Sequence, residues 1–407
     1  MSDFVPPVSS IERLSRNERS VLSAIDEAAV IAFHRGLVRI PSVNPPGDVR
    51  EAIAYCEAPL KMAGFAVKTV SIDDTMPNLI ATLGRADGPM LCFNAHVDVV
   101  PTGERSAWTH DPFGAEVEDG KIYGRGAGDD KASVTAQVMA GVALAASGVS
   151  VKGTLLINEV ADEEAAGIKG TGFVVEQSFF QPDFVIVGEQ TLNRVALGEK
   201  GAAPTRLVVH GRTAHGALPW EGANAIEGLA EIVVALRREY WPVLQQRTHQ
   251  HFHHSSGSVN LMEGGVKTNV VPDFASVYID RRLVPGEDPD EVRAEILEIA
   301  RRAVDVMPGI TVDLDDLRLG GKATLADEND PLVRTMIGAN EVLGLSTAPT
   351  GFSMATDGRF FARQGVPTII YGPGDPSLAH VPDEWVGIDE LLQATRAYAL
   401  AAVRLLA

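Results

Sequence analysis

Four short apolar runs stand out along the chain: Met90–Ala95, Thr154–Val160, Phe184–Val187 and Thr368–Tyr371. Each is rich in Val, Ile, Leu or aromatic residues and bounded by Gly or Pro. That pattern predicts strands buried on both faces of a mostly parallel sheet. Apolar positions at helical spacing over Ala24–Leu37, and over Val49–Ala63 up to a stop at Gly64, predict helices on either side of a Pro-punctuated loop, Ile40–Pro46. Ala132–Ala146, between the first two strands, reads as the helix that a βαβ unit requires.

The pattern changes after Gly198. From there to about Asp316 the order reads strand, helix, strand, strand, helix, strand. The helices are Asn224–Arg237 and Pro289–Ala303. The central strands, Ser258–Met262 and Ala275–Ile279, flank a turn region at Gly264-Gly265. This is the split βαβ, ferredoxin-like order. The expected fold is therefore α/β, a mostly parallel mixed sheet with flanking helices, interrupted by an inserted ferredoxin-like α+β domain. The boundaries read as 1–195 and 319–407 for the two parts of the parent domain and 196–318 for the insert.

A chain of 407 residues is long enough for two domains. No apolar run is long enough to span a bilayer, and Met1–Ser20 mixes Pro, Arg, Glu and Ser without an apolar h-region, so no membrane association is expected and the expected compartment is the cytoplasm. Cys56 and Cys92 offer neither a disulfide framework nor thiolate metal spacing and read as buried thiols. The formal net charge of −19 argues against nucleic acid, whose binding relies on Lys and Arg neutralising phosphate. It is either a solubility surface or, in part, a means of collecting metal.

The residues at the ends of the buried strands decide between these. Met90–Ala95 runs into His96-Val97-Asp98, Thr154–Val160 into Asp162-Glu163-Glu164, Phe184–Val187 into Gly188-Glu189, and Thr368–Tyr371 leads through a Gly/Pro loop to His380. Ligands of open α/β sheets sit beyond the carboxyl ends of the strands, so one rim receives His and carboxylates from four strand ends. Singly, each feature has an ordinary explanation. Glu163-Glu164 alone is a solvated pair, and Asp129-Asp130, after Gly124-Arg125-Gly126-Ala127-Gly128, is a helix N-cap. A phosphate-loop reading of that Gly-rich stretch fails on spacing and on the two carboxylates that end it.

Together, two imidazoles and three carboxylates, one of them shared, suit two borderline-soft cations such as zinc. Three carboxylates and a bridging hydroxide balance the two divalent charges, which makes burial of the site tolerable. Asp98, two residues past His96 on the same strand face, is placed to accept the other imidazole N–H. Glu163 and Glu164 diverge as neighbours, so one is free to bind metal while the other acts as general base.

The stretches Asn94-Ala95-His96-Val97-Asp98-Val99-Val100-Pro101, Gly124-Arg125-Gly126 through Asp129-Asp130-Lys131, Asp162-Glu163-Glu164 and Gly188-Glu189 resemble the dinuclear zinc amidohydrolases. That family includes aminoacylase, acetylornithine deacetylase, succinyl-diaminopimelate desuccinylase and glutamate carboxypeptidase. The resemblance implies two Zn2+ per subunit, with Co2+ or Mn2+ as substitutes. It places His96, Asp129 and Glu189 on one ion and Asp129, Glu164 and His380 on the other, with Asp129 bridging and Glu163 as the base. In the insert, Gly211 through Thr213-Ala214-His215-Gly216, with Pro219 and Asn224-Ala225, resembles the family's dimerisation lid. Gly265 through Asn269 to Pro272 and Asp280-Arg281-Arg282 through Pro285-Gly286 fit as well. By that resemblance the chain is a homodimer, His215 (from the partner subunit) and Asn269 contact substrate, and Arg282 holds a carboxylate, for which its planar fork is suited. Alone, Arg282 would read as a surface ion pair.

Thr356 would contact substrate on the pocket floor, where Ala355 stands in place of the family's usual Gly; Ala132 likewise replaces a common Gly. His249-Gln250-His251-Phe252-His253-His254 reads as a loop rather than a metal tract. The implied activity is hydrolysis of an N-acyl amino acid, with a dipeptidase or carboxypeptidase as the alternative. A two-metal phosphoesterase would need more basic residues, and a non-catalytic binding protein would have lost Glu163 or a ligand.

Overall fold

The computed structural model describes residues 14–315 and 320–407. Most of the N-terminal segment read for a signal peptide, and the boundary expected at 318, lie outside the described residues. The chain divides into two compact units: Met1–Gly198 with Ala326–Phe352 and Thr356–Ala407, and Glu199–Leu325 with Ser353–Ala355.

The first unit is built on an eight-stranded sheet. Its strands are β1 (Ala66–Val70), β2 (Asn78–Gly84), β3 (Met90–His96), β4 (Thr154–Val160), β5 (Phe184–Gly188) and β6 (Ala196–Glu199). After the second unit come β11 (Thr350–Phe352) and β12 (Thr368–Tyr371). The spatial order is β1-β2-β4-β3-β5-β12-β6-β11. The four strands expected from their apolar runs form a parallel centre, β4-β3-β5-β12. Antiparallel pairs join β2 to β4 and β6 to β12, so the sheet is mixed.

Every residue of β4 is buried, its apolar Leu155–Ile157 together with Asn158 and Glu159. Leu155 and Ile157 join the core on one side and Leu156 the core on the other. The larger core lies under helices α2 (Glu27–Val38), α3 (Arg50–Met62), α4 (Lys131–Ala146) and the C-terminal helix Ile388–Leu406. Tyr398 of the last helix stacks edge-on against Phe93, with ring centroids 4.9 Å apart. Cys56 and Cys92 are free and buried, and burial pushes both thiols well above their ordinary range.

Helix boundaries differ from the sequence expectation where a cap intervenes. Asp26 accepts the Ala29 N–H at 3.0 Å and starts α2 at Glu27 rather than Ala24. Upstream, a separate helix α1 (Arg16–Ser23) is closed by a capping box between Ser15 and Glu18.

The second unit has the order β7 (Thr205–His210), α5 (Ala225–Ala235), β8 (Ser256–Gly264), β9 (Phe274–Leu283), α6 (Pro289–Val304), β10 (Thr311–Asp315). The strands run antiparallel in the spatial order β8-β9-β7-β10, the ferredoxin-like arrangement. Leu229 and Ile232 of α5 and Val292 and Ile296 of α6 pack on the Leu207, Val209, Val277 and Ile279 face of the sheet. Asn224 caps α5 rather than beginning it, and past Ala235 the helix widens into a π-turn, Leu236–Tyr240. Strand β8 is an edge strand with Leu261 and Met262 about half exposed.

Candidate metal centre

The parallel centre delivers its side chains to one rim. His96 ends β3 and is 2% exposed, while Glu189 follows directly on β5. Asp129 reaches them from the Gly-rich loop, and the glycines there are steric requirements. A Cβ at Gly126 would stand 2.5 Å from a Val99 methyl, and one at Gly128 only 2.0 Å from the Gln190 amide nitrogen. Asp130 occupies the N-cap position of α4, but its side chain makes no capping bond, and burial pushes its carboxyl up to about 8.

Donor atoms of His96, Asp129 and Glu189 all lie within 4.8 Å of one another, and so do those of Asp129, Glu164 and His380. Asp129 belongs to both groups through different oxygens. Its Oδ1 is 3.2 Å from His96 Nε2 and its Oδ2 is 3.3 Å from His380 Nε2, which in turn is 3.1 Å from Glu164 Oε2. Those two contacts raise His380 to about 10. Burial alone would push Asp129 up, but hydrogen bonds from His380 and His96 outweigh it and hold the carboxyl low. Burial opposes the charged form of His96, yet Asp129 and Asp98 hold it well above its ordinary range. Glu163, Glu164 and Glu189 are all driven upward by burial, and Glu164 Oε1 is buried without a hydrogen-bond partner. Crowded N and O donors with uncompensated carboxylates fit two divalent cations.

Glu163 is separated from its neighbour by the backbone. The turn after β4 is left-handed at Asp162 (φ 70°) and Ala166 (φ 92°). It turns Glu164 to His380, while Glu163 faces a narrow cleft that it lines with Asn94, His96, Gly188, Glu189 and Asp357. This loop is anchored by Asp98, whose Oδ1 and Oδ2 each accept an amide, from Glu163 and Glu164, at 3.3 Å. Asn44 donates to Oδ2 at 2.9 Å. The His96 Nδ1 atom is 3.0 Å from the Asp98 main-chain carbonyl and 3.6 Å from its carboxylate. The Asp98 carbonyl is thus the nearer partner of the imidazole, and its carboxylate stands beside the same nitrogen while accepting the two glutamate amides. The sequence places Asp98 beside His96, but the glutamate amides that its carboxylate accepts are not visible there, because strand periodicity does not reveal a turn folding back from β4.

Thr356 is buried, and its Oγ accepts the Gly358 amide at 2.9 Å. Its neighbour Asp357, which the sequence did not single out, lines the Glu163 cleft and is pushed by burial up to about 6. Arg359 donates to the Ala166 carbonyl at 2.7 Å and so ties the glutamate turn to this segment.

In the second unit, Ala214–His215 pairs with Val270–Val271, and Gly216 donates to the Asn269 carbonyl at 2.8 Å. His215 and Asn269 thus share one exposed ribbon. Arg282 lies on β9 and binds Asp280 through two hydrogen bonds, 2.9 and 3.2 Å, with both side chains about one-third exposed. His249 and His251 have ring centroids 5.7 Å apart, and among the described residues no third donor converges on them.

The description "Peptidase family M20/M25/M40" matches residues 92–404, a span that contains every one of these donors. The chain belongs to that family. It is a metallopeptidase or amidohydrolase of the M20 type. It is 31% identical over 365 residues to a succinyl-diaminopimelate desuccinylase of Bordetella petrii, covering 87% of this chain and 92% of the relative. It is also 31% identical over 385 residues to one of Methylobacterium radiotolerans, covering 91% and 95%. The fold is that of aminopeptidase PepT from Bacillus cereus (TM-score 0.75, 20% identity, 94% of this chain and 99% of that one). It is also that of the Bacillus subtilis YXEP protein, described as a dinuclear metal binding peptidase of the M20 family (TM-score 0.69, 17% identity, 93% and 97%). None of the described helices of this M20 chain is long and apolar enough to cross a membrane.

Proposed function

We propose that the chain hydrolyses the amide bond of an N-acyl amino acid. Two divalent ions, zinc before cobalt or manganese, would be held by His96, Asp129 and Glu189 and by Asp129, Glu164 and His380. The observation that carries this reading is the split of Asp129, one oxygen toward each imidazole, with Glu163 left unengaged at the cleft. When bound, the ions supply Lewis acidity and lower the pKa of water toward neutrality. Glu163 takes the proton of the attacking water and returns it to the leaving amine, and Asp98 holds Glu163 in place through its amide. His215 donates to the developing oxyanion. Arg282 binds the substrate's α-carboxylate; its five N–H donors suffice for that group and Asp280 together. The two free thiols suit a reducing compartment, and we assign the reaction to the cytoplasm.

Two desuccinylases among the relatives make N-succinyl-diaminopimelate the first substrate to test. It should be assayed beside other N-succinyl and N-acetyl amino acids, their α-amides, and unblocked dipeptides. The acylated acids should have the highest kcat/KM. Arg282→Ala should raise their KM about tenfold, the size of a lost charged hydrogen bond, and leave the α-amides unaffected. Faster turnover of unblocked dipeptides would replace the deacylase reading with a dipeptidase, and equal use of α-amides would remove Arg282 from the site.

The exposed edge of β8, with Leu261 and Met262, and Ile226 on α5 supports an isologous dimer through the second unit, in which His215 serves the partner's site. Co-refolding inactive His215→Ala with inactive Glu163→Gln should then restore activity, to about a quarter of wild type for random mixing, because each mixed dimer holds one intact site. Subunit exchange confirmed by mass, with no activity, would confine His215 to its own chain.

A further inference from the structure

Of the five proposed ligands, His380 is the least enclosed. Its side chain is 52% exposed, against 10% for Asp129 and 7% for Glu164. It also stands on an irregular loop, in left-handed backbone (φ 66°). One buried ion pair spans from that loop to the bridging carboxylate. Arg125, 2% exposed, donates through Nη2 to the His380 carbonyl at 3.1 Å and through Nη1 to the Val381 carbonyl at 3.3 Å. Nη1 also meets Glu384 Oε2 at 2.5 Å. The other oxygen of Glu384, a fully buried residue, accepts the amides of Gly128 at 3.0 Å and Asp129 at 2.9 Å. The Gly124 amide donates to the Glu384 carbonyl at 2.9 Å, and the Trp108 ring lies 5.2 Å from the guanidinium carbon.

A buried ion pair adds little net stability over well-packed apolar side chains, because desolvation offsets the attraction. What this pair does supply is placement. It links the backbone of His380 to the backbone of Asp129 by hydrogen bonds through a rigid, planar group. We infer that Arg125 and Glu384 are positioning residues that set the spacing between Asp129 and His380, and thereby hold the second ion selectively. The first ion depends on them less, since two of its ligands, His96 at the end of β3 and Glu189 after β5, are held by the sheet and it shares only Asp129 with the second. The inference rests on the two-ion reading above.

The test uses the full chain, stripped by chelation and titrated with Co2+. Stepwise affinities come from chelator competition, the visible absorption of each bound cobalt is recorded, and the metal-free melting temperature is measured. Arg125→Lys keeps a cation beside Glu384 but loses the fork that spans both carbonyls. Glu384→Gln keeps an acceptor for the two amides but turns an NH2 group toward the donors of Arg125. In both variants the second ion should bind about 10- to 100-fold more weakly, with a changed absorption band, while the first is weakened clearly less. Unchanged second-ion affinity would overturn the inference. So would parallel weakening of both ions with a fallen metal-free melting temperature, including a variant that does not fold without metal, since that marks a purely structural pair. Fewer than two ions in the wild type would instead defeat the two-ion reading.

Discussion

Glu163→Gln should keep both metal ions and lose at least about a hundredfold in kcat, the usual size of a general-base contribution. The substitution preserves the shape of the side chain and the amide that Asp98 holds at 3.3 Å, so the turn stays in place. What it removes is a proton acceptor. Burial drives the Glu163 carboxyl upward, and cations beside it would lower it again and favour the carboxylate that a base requires. Glu164→Gln should behave differently although the change is chemically the same. Glu164 Oε2 stands 3.1 Å from His380 Nε2, within the second donor group, so its replacement should empty one metal site. Metal content by elemental analysis and kcat at saturating substrate separate the two variants. Exchanged phenotypes would reverse the roles of this adjacent pair.

The buried strands were legible because β3, β4, β5 and β12 each hold a short, mainly apolar run buried on both faces, and a run of that kind has few other homes. His96 ends β3, and Glu163, Glu164 and Glu189 come soon after β4 and β5, so their convergence could be read from topology alone. The edge strand β1 was not legible: its residues are exposed or half-buried, and it has no continuous apolar run. Contacts made across long stretches of chain were equally hidden. Arg125 and Glu384 are 259 positions apart, and nothing local to either forecasts the other. Asp98 was recognised as important from its place beside His96, but the glutamate amides that its carboxylate accepts come from a turn with left-handed backbone at Asp162 and Ala166. Neither residue is the glycine that usually marks such positions. Arg282 shows the opposite case. Taken alone it reads as a surface ion pair, and the structure has it paired with Asp280.

Metal-dependent amide hydrolysis is tested most directly by metal removal. All five proposed ligands are nitrogen or oxygen donors on two overlapping groups, so prolonged chelation should extract the ions without reducing or cleaving anything in the chain. Activity toward the best N-acyl amino acid should fall to background as elemental analysis shows the metal leaving. It should return on addition of zinc or cobalt at about two ions per chain. Full hydrolysis by a preparation proven free of metal would contradict the central claim.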